Sequence, residues 1–152
     1  MPRITRDAEV TWEGSSAKGR GALTAGTSGA FAGLPFSEPM RIASASGATE
    51  TSPEELLAAA HAACYSMSLA GELTRDRTPP ERLDVRSTIV MDEVEGEGHR
   101  IVASEVRVRA IVRGTHDGAF TDAVRRADEG CPFSALIRAS GTVSIDATLE
   151  AS

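Results

Sequence analysis

Between Thr51 and Leu73 the chain reads Thr-Ser-Pro-Glu-Glu-Leu-Leu-Ala-Ala-Ala-His-Ala-Ala-Cys-Tyr-Ser-Met-Ser-Leu-Ala-Gly-Glu-Leu. This stretch predicts one long helix around which the remaining elements must be organised. Ser52 suits the N-cap, Pro53 the first helical position where a missing N–H costs nothing, and Glu55 the third position of a capping box. Leu56, Leu57, Ala60, Ala63, Cys64, Met67 and Ala70 follow helical spacing, while Ala58, Ala59, Ala62 and Leu69 make the other sides apolar as well. A helix without a polar face is expected to be enclosed on most sides. Its alanines and serines would also let a second helix, from this chain or another subunit, approach closely.

Size and charge limit what can surround that helix. The chain has 152 residues, enough for one domain over 1–152 that buries roughly 68–70% of its unfolded surface without staples. Aromatic residues are only 4%, so the core must be aliphatic and alanine-rich. A net charge of -6 argues against nucleic acid or an anionic membrane as partner, because both polyanions would be repelled. No stretch approaches a membrane span and none combines the parts of a secretory leader, so the expected location is cytoplasmic.

Taken in order, Asp7 to Glu13 and Gly21 to Thr24 read as short strands separated by a glycine and serine turn. Gly26 to Pro39 reads as a loop in which Phe31, Leu34 and Phe36 anchor onto apolar surface. Met40 to Ala43 reads as a brief strand, Ser44 to Glu50 as a connection, and Arg75 to Glu81 as a solvated break. The clearest sheet signal follows. Leu83, Val85, Ser87, Ile89 and Met91 alternate with polar neighbours. After the turn Glu95-Gly96-Glu97-Gly98, Val102, Val106, Val108, Ala110 and Val112 share one face, while Glu105, Arg107 and Arg109 share the other. That pattern predicts a hairpin with one dry and one solvated side. Phe120 to Glu129 is an amphipathic helix, with Gly130 as its expected C′ glycine. Cys131 then caps a short helix with Pro132 at its first position, and Thr142 to Leu149 closes the chain as a strand.

The two cysteines, Cys64 and Cys131, are too few for a disulfide framework or a zinc ribbon. They are either inert buried thiols or partners in a transient redox reaction. Cys131 at a helix N-cap would be the better thiolate. Cys64, deep in an apolar helix, would have a raised pKa and would need a cation from elsewhere, for which arginine is best suited.

The run Pro53-Glu54-Glu55-Leu56-Leu57-Ala58-Ala59-Ala60-His61-Ala62-Ala63-Cys64-Tyr65-Ser66-Met67, with Gly130-Cys131-Pro132-Phe133-Ser134 far downstream, resembles the osmotically inducible protein C and organic hydroperoxide resistance protein (OsmC/Ohr) family. The early Trp-Glu-Gly at Trp12 to Gly14 and the form Ala-His-Ala-Ala-Cys-Tyr-Ser-Met are closer to the OsmC branch. The resemblance implies an α+β fold of antiparallel sheets around a long central helix, assembled as an intertwined homodimer. It further implies a cofactor-free and metal-free thiol peroxidase acting on organic hydroperoxides, with hydrogen peroxide as a further substrate in this branch. By that resemblance Cys64 matches the peroxidatic cysteine, Cys131 the resolving cysteine, and Glu54 the carboxylate that holds the catalytic arginine. Arg41 is the counterpart of the arginine in the OsmC branch, and Arg20 that of the other branch. A dithiol reductant of the lipoyl type is implied for recycling. Phe31, Leu34, Phe36 and Phe133 are candidates to line a pocket for the organic part of the peroxide, or are simply anchors.

Helix geometry independently favours a dimer, since Glu54 and Cys64 are about ten residues apart, or about 15 Å of rise. An antiparallel pair of such helices could bring one subunit's Glu54 toward the other's Cys64. Two other readings stay open: a thiol redox sensor or binding protein on the same fold, and a Cys/His hydrolase or zinc site using His61, three residues before Cys64.

Overall fold

The computed structural model describes residues 2–44 and 46–150, so Ala45 of the Ser44 to Glu50 connection lies outside the described residues. The chain divides into two compact units, one ending at Pro53 and the other beginning at Glu54.

In the first unit three short strands, β1 (Ala8–Glu13), β2 (Arg20–Ala25) and β3 (Leu34–Phe36), form an antiparallel sheet in that order. The register sets Trp12, Gly21 and Phe36 side by side. Because Gly21 has no side chain, the rings of Trp12 and Phe36 meet across it with centroids 5.6 Å apart. A Cβ on Gly21 would collide with the Phe36 ring. Strand β3 lies inside the stretch expected to be loop, and its Leu34 and Phe36 are half-buried. The segment Met40 to Ala43, expected as a strand, instead enters a helical turn, α1 (Glu38–Arg41). Pro39 explains the difference: its φ is fixed near the helical value and its missing N–H falls in the first turn, where no partner is needed. The Arg41 and Ile42 amides then donate to the Ser37 and Glu38 carbonyls at 2.9 and 3.1 Å.

The second unit is built on α2 (Pro53–Arg75), which begins at the proline as the sequence predicts. Its buried residues, His61, Tyr65, Leu69, Glu72 and Leu73, recur at helical spacing and form one stripe. Ala59, Ala63 and Met67 form another stripe of α2 that is exposed in the single chain, Met67 by 69%. Against the buried stripe lies the sheet β4 (Arg82–Val94), β5 (Gly98–Ile111) and β6 (Thr142–Glu150). Strands β4 and β5 form the predicted hairpin, turning where the Glu97 amide donates to the Val94 carbonyl at 2.9 Å. Val106, Val108 and Ala110 of β5 face the core, while Glu105, Arg107 and Arg109 face solvent.

The sheets are antiparallel as expected except at one pairing, where β6 runs parallel to β5. The cause is the connection. Two helices, α3 (Asp117–Gly130) and α4 (Pro132–Arg138), carry the chain back before β6 begins, and such a crossover is what parallel neighbours require. Helix α3 starts three residues earlier than predicted because the His116 side chain accepts from the Ala119 amide and caps it. It buries Phe120, Ala123 and Ala127. Gly130 is not a left-handed C′ residue; it is the last residue of α3, and Cys131 caps both helices with φ -83° and ψ 113°. A residue preceding proline is pushed out of the helical region toward extended backbone, so Pro132 breaks the helix at Cys131 without any need for glycine.

Gly141, between α4 and β6, permits the return into the sheet. A Cβ there would run into the Val102 carbonyl, and backbone rather than a flexible side chain would have to yield. Gly141→Ala is expected to cost about 1–3 kcal/mol, as overpacking commonly does. The readout is a lower urea midpoint with an unchanged m-value.

Candidate functional site

The two cysteines come together within the second unit. Their sulfur atoms are 3.5 Å apart, too long for a bond and short enough for direct contact. Cys64 is half-buried and Cys131 is completely buried. Cys131 reaches this position because Pro132 turns the backbone at the junction of α3 and α4. The ion pair between Asp128 of α3 and Arg138 of α4 spans the same corner.

The electrostatics of Cys64 oppose its ionisation. Burial pushes the thiol above its ordinary pKa and the adjacent Cys131 adds to the shift, whereas hydrogen bonding from the Phe133 backbone pulls the other way. Phe133 thus enters the site through its main chain, and its half-buried ring packs against the core.

His61 sits one helical turn before Cys64 and is fully buried. Its Nδ1 is 2.8 Å from the Ser104 hydroxyl and its Nε2 is 3.0 Å from the Ser134 hydroxyl. Ser104 continues to Ser87 at 3.0 Å. With both ring nitrogens engaged by serines, His61 is not arranged as a base for Cys64, which removes the geometric ground for the hydrolase reading. Among the described residues no group of three or more His, Cys, Asp or Glu could hold a metal ion. Sequence reasoning does not single out Ser104 or Ser134. The available signal is a pair of polar residues, Ser87 and Ser104, at inward positions of an otherwise apolar hairpin face.

The remaining predicted site residues are distributed as follows. Glu54 is the second residue of α2, within its first turn. Arg41 and Phe36 belong to the first unit, where with Trp12, Ser16, Ser37, Glu38 and Pro53 they line a cavity of about 360 Å³. Arg20 lines a different cavity of the same unit, about 350 Å³, with Lys18, Met40 and Glu50 among its neighbours. Leu34 pairs with Leu23 in the sheet, and Phe31 is 37% exposed in the loop before β3.

Burial lowers the pKa of His61, with Asp128 opposing and Arg138 adding to the effect. The unfolded chain therefore binds a proton that the native state resists. The resulting stability is complete above the ordinary histidine value of about 6.5 and is lost as pH falls from there through the lower native value. Urea midpoints should decline on acidification below about pH 6.5, and a His61→Gln variant should lose part of that slope. An identical slope in the two proteins would contradict the assignment.

Comparison with known proteins agrees with this architecture. The family model described as OsmC-like protein matches residues 46–146. Peroxiredoxin OsmC of Escherichia coli K12 is 30% identical over 140 residues, which cover 92% of this chain and 94% of that protein. Among solved structures, the organic hydroperoxide resistance protein OhrB of Bacillus subtilis is 25% identical with a TM-score of 0.65, over 95% of this chain and 98% of its own. An OsmC-like protein of unknown function from Vibrio cholerae shares the fold at a TM-score of 0.75 and 14% identity, over 96% of this chain and 100% of its own. By sequence and by fold, the chain belongs to the OsmC-like protein family.

Proposed function

We propose that the protein is a Cys-based peroxidase that reduces organic hydroperoxides, and hydrogen peroxide, with Cys64 as the attacking sulfur and Cys131 as the resolving one. The observation that carries this reading is the sulfur pair, 3.5 Å apart with one member partly open and the other sealed. The Escherichia coli relative is named a peroxiredoxin and the Bacillus structure an organic hydroperoxide resistance protein, which supports the same chemistry.

In the first step the Cys64 thiolate attacks the peroxide oxygen and the O–O bond breaks. The alkoxide leaves as an alcohol after taking a proton, and Cys64 becomes a sulfenic acid. In the second step the Cys131 sulfur displaces the hydroxyl, which leaves as water with the Cys131 proton, and an S–S bond forms. An external dithiol of the lipoyl type then reduces the disulfide. Its access is through Cys64, since Cys131 is completely buried, so Cys131 is the leaving thiol in that exchange.

Burial makes Cys64 a reluctant thiolate, and a cation is needed to reverse this. Arg41, oriented by Glu54, is proposed for the role ahead of Arg20, and its aromatic-lined cavity suits the organic portion of a hydroperoxide. The proposal includes an intertwined homodimer in which 1–152 forms one OsmC-like domain and each site is composite. The exposed stripe Ala59, Ala63 and Met67 supports it, because an apolar helical face of small residues is suited to a second helix.

Mass spectrometry after one equivalent of cumene hydroperoxide is expected to find a Cys64–Cys131 linked peptide in the wild type and a sulfenic adduct on Cys64 in Cys131→Ser. An unmodified Cys64 would end the reading, and failure to turn over repeatedly with dihydrolipoamide would favour a redox sensor on the same fold. Arg41→Ala should lower kcat/KM by about 100- to 1,000-fold, the usual cost of removing a charge-stabilising donor, with Arg20→Ala unchanged; the reverse result would assign the role to Arg20. Sedimentation should give a dimer that Met67→Glu dissociates with loss of activity, and a fully active monomer would refute the composite site.

A further inference from the structure

Four polar side chains link four elements of the core, and the reaction steps above use none of them. His61 of α2 joins Ser104 of β5 through Nδ1 and Ser134 of α4 through Nε2, and Ser104 continues to Ser87 of β4. His61, Ser104 and Ser134 are all fully buried. Neutral imidazole has one donor and one acceptor nitrogen, and a serine hydroxyl can play either part, so the chain is satisfied without a charge.

The position of this chain relative to the sulfurs is specific. His61 is three residues before Cys64 on α2, and Ser134 is three residues after Cys131 at the start of α4. On α2 that spacing puts His61 and Cys64 on one face, and Cys131 is the N-cap from which α4 and its Ser134 start. The His61–Ser134 hydrogen bond and the Cys64–Cys131 contact are therefore two neighbouring rungs between the same pair of elements. Disulfide formation must draw the sulfurs from 3.5 Å to about 2.05 Å, and α4 is only seven residues long. Its far end is tied by Arg138 to Asp128, whereas near Cys131 the side-chain tie is Ser134 to His61.

We propose that His61 is a positioning residue for the resolving step: by holding Ser134 it keeps Cys131 within closing distance of Cys64, so that the sulfenic acid is captured before a second peroxide reaches it. His61 touches no reacting atom. The proposal rests on the peroxidase reading for its purpose but not for its geometry, which a peroxide-free measurement can test.

The decisive experiment is the equilibrium between the Cys64/Cys131 dithiol and its disulfide in glutathione redox buffers, read on folded full-length protein by near-UV circular dichroism and thiol trapping. Ser134→Ala and His61→Leu should each lower the effective concentration of one sulfur for the other by about tenfold or more. His61→Gln, which keeps a donor and an acceptor, should recover part of the loss. Ser87→Ala, which cuts the network at its far end, should stay near the wild-type value. Stopped-flow with cumene hydroperoxide should then show sulfenic acid forming at the wild-type rate in Ser134→Ala, with slower disulfide closure and sulfinic acid accumulating at lower peroxide. Wild-type equilibria in Ser134→Ala and His61→Leu would overturn the proposal, as would an equal loss in Ser87→Ala. Absence of any sulfenic acid on Cys64, with the equilibrium shifts intact, would instead refute the peroxidase reading and leave the positioning role standing.

Discussion

The structure of the second unit depends on one steric fact, the clash between Pro132 and a helical conformation at Cys131. Without it, α3 and α4 could continue as a single helix and Cys131 would be one more residue on its surface. Because the pre-proline residue is held extended, the chain turns a corner there, with Cys131 at the apex and buried. The corner sends α4 back toward the sheet, which allows β6 to enter parallel to β5. One backbone restriction thus determines both the topology of the sheet and the position of the second sulfur.

That position has an electrostatic cost. A sulfur in apolar surroundings with a second sulfur beside it ionises reluctantly, and the Phe133 backbone offsets this only in part. The same burial that brings the pair together therefore disfavours the thiolate form of Cys64. A raised thiol pKa lowers the thiolate fraction and with it the general reactivity of the sulfur toward oxidants. The proposed role of an arginine answers this burial of Cys64, since a nearby cation favours the thiolate.

Much of this is legible in the sequence, because the strongest signals are local. Pro53 marks the start of α2, strict alternation marks the β4/β5 hairpin, and Pro132 marks the start of α4. The departures also have local causes. Met40 and Ile42 alternate around an arginine and so imitate a strand, whereas the helical preference of Pro39 governs the turn. Gly130 has the composition of a helix terminator, but the proline two residues on performs that task at Cys131. The direction of β6 carries no local signature at all, since a strand's alternation is the same in either orientation. The two sulfurs can be named by resemblance, but their 3.5 Å approach is a tertiary fact that no spacing encodes.

The least legible feature, the buried His61 and serine network, bears most directly on why this core is not simply aliphatic. Replacing a satisfied buried polar group by an apolar one of similar shape is often neutral or stabilising, so such a network is not explained by stability alone. Its distinctive property is directionality. Apolar contacts tolerate small slides of one helix along another, whereas hydrogen bonds of 2.8 and 3.0 Å to opposite nitrogens of one ring fix both the distance and the rotation of the groups they join. This core mixes alanines and valines with larger side chains such as Tyr65, Leu69, Leu73 and Phe120, and its apolar contacts carry no fixed direction. In such a core a satisfied polar strut adds a directional constraint that apolar contact does not, and it lies beside the contact between Cys64 and Cys131.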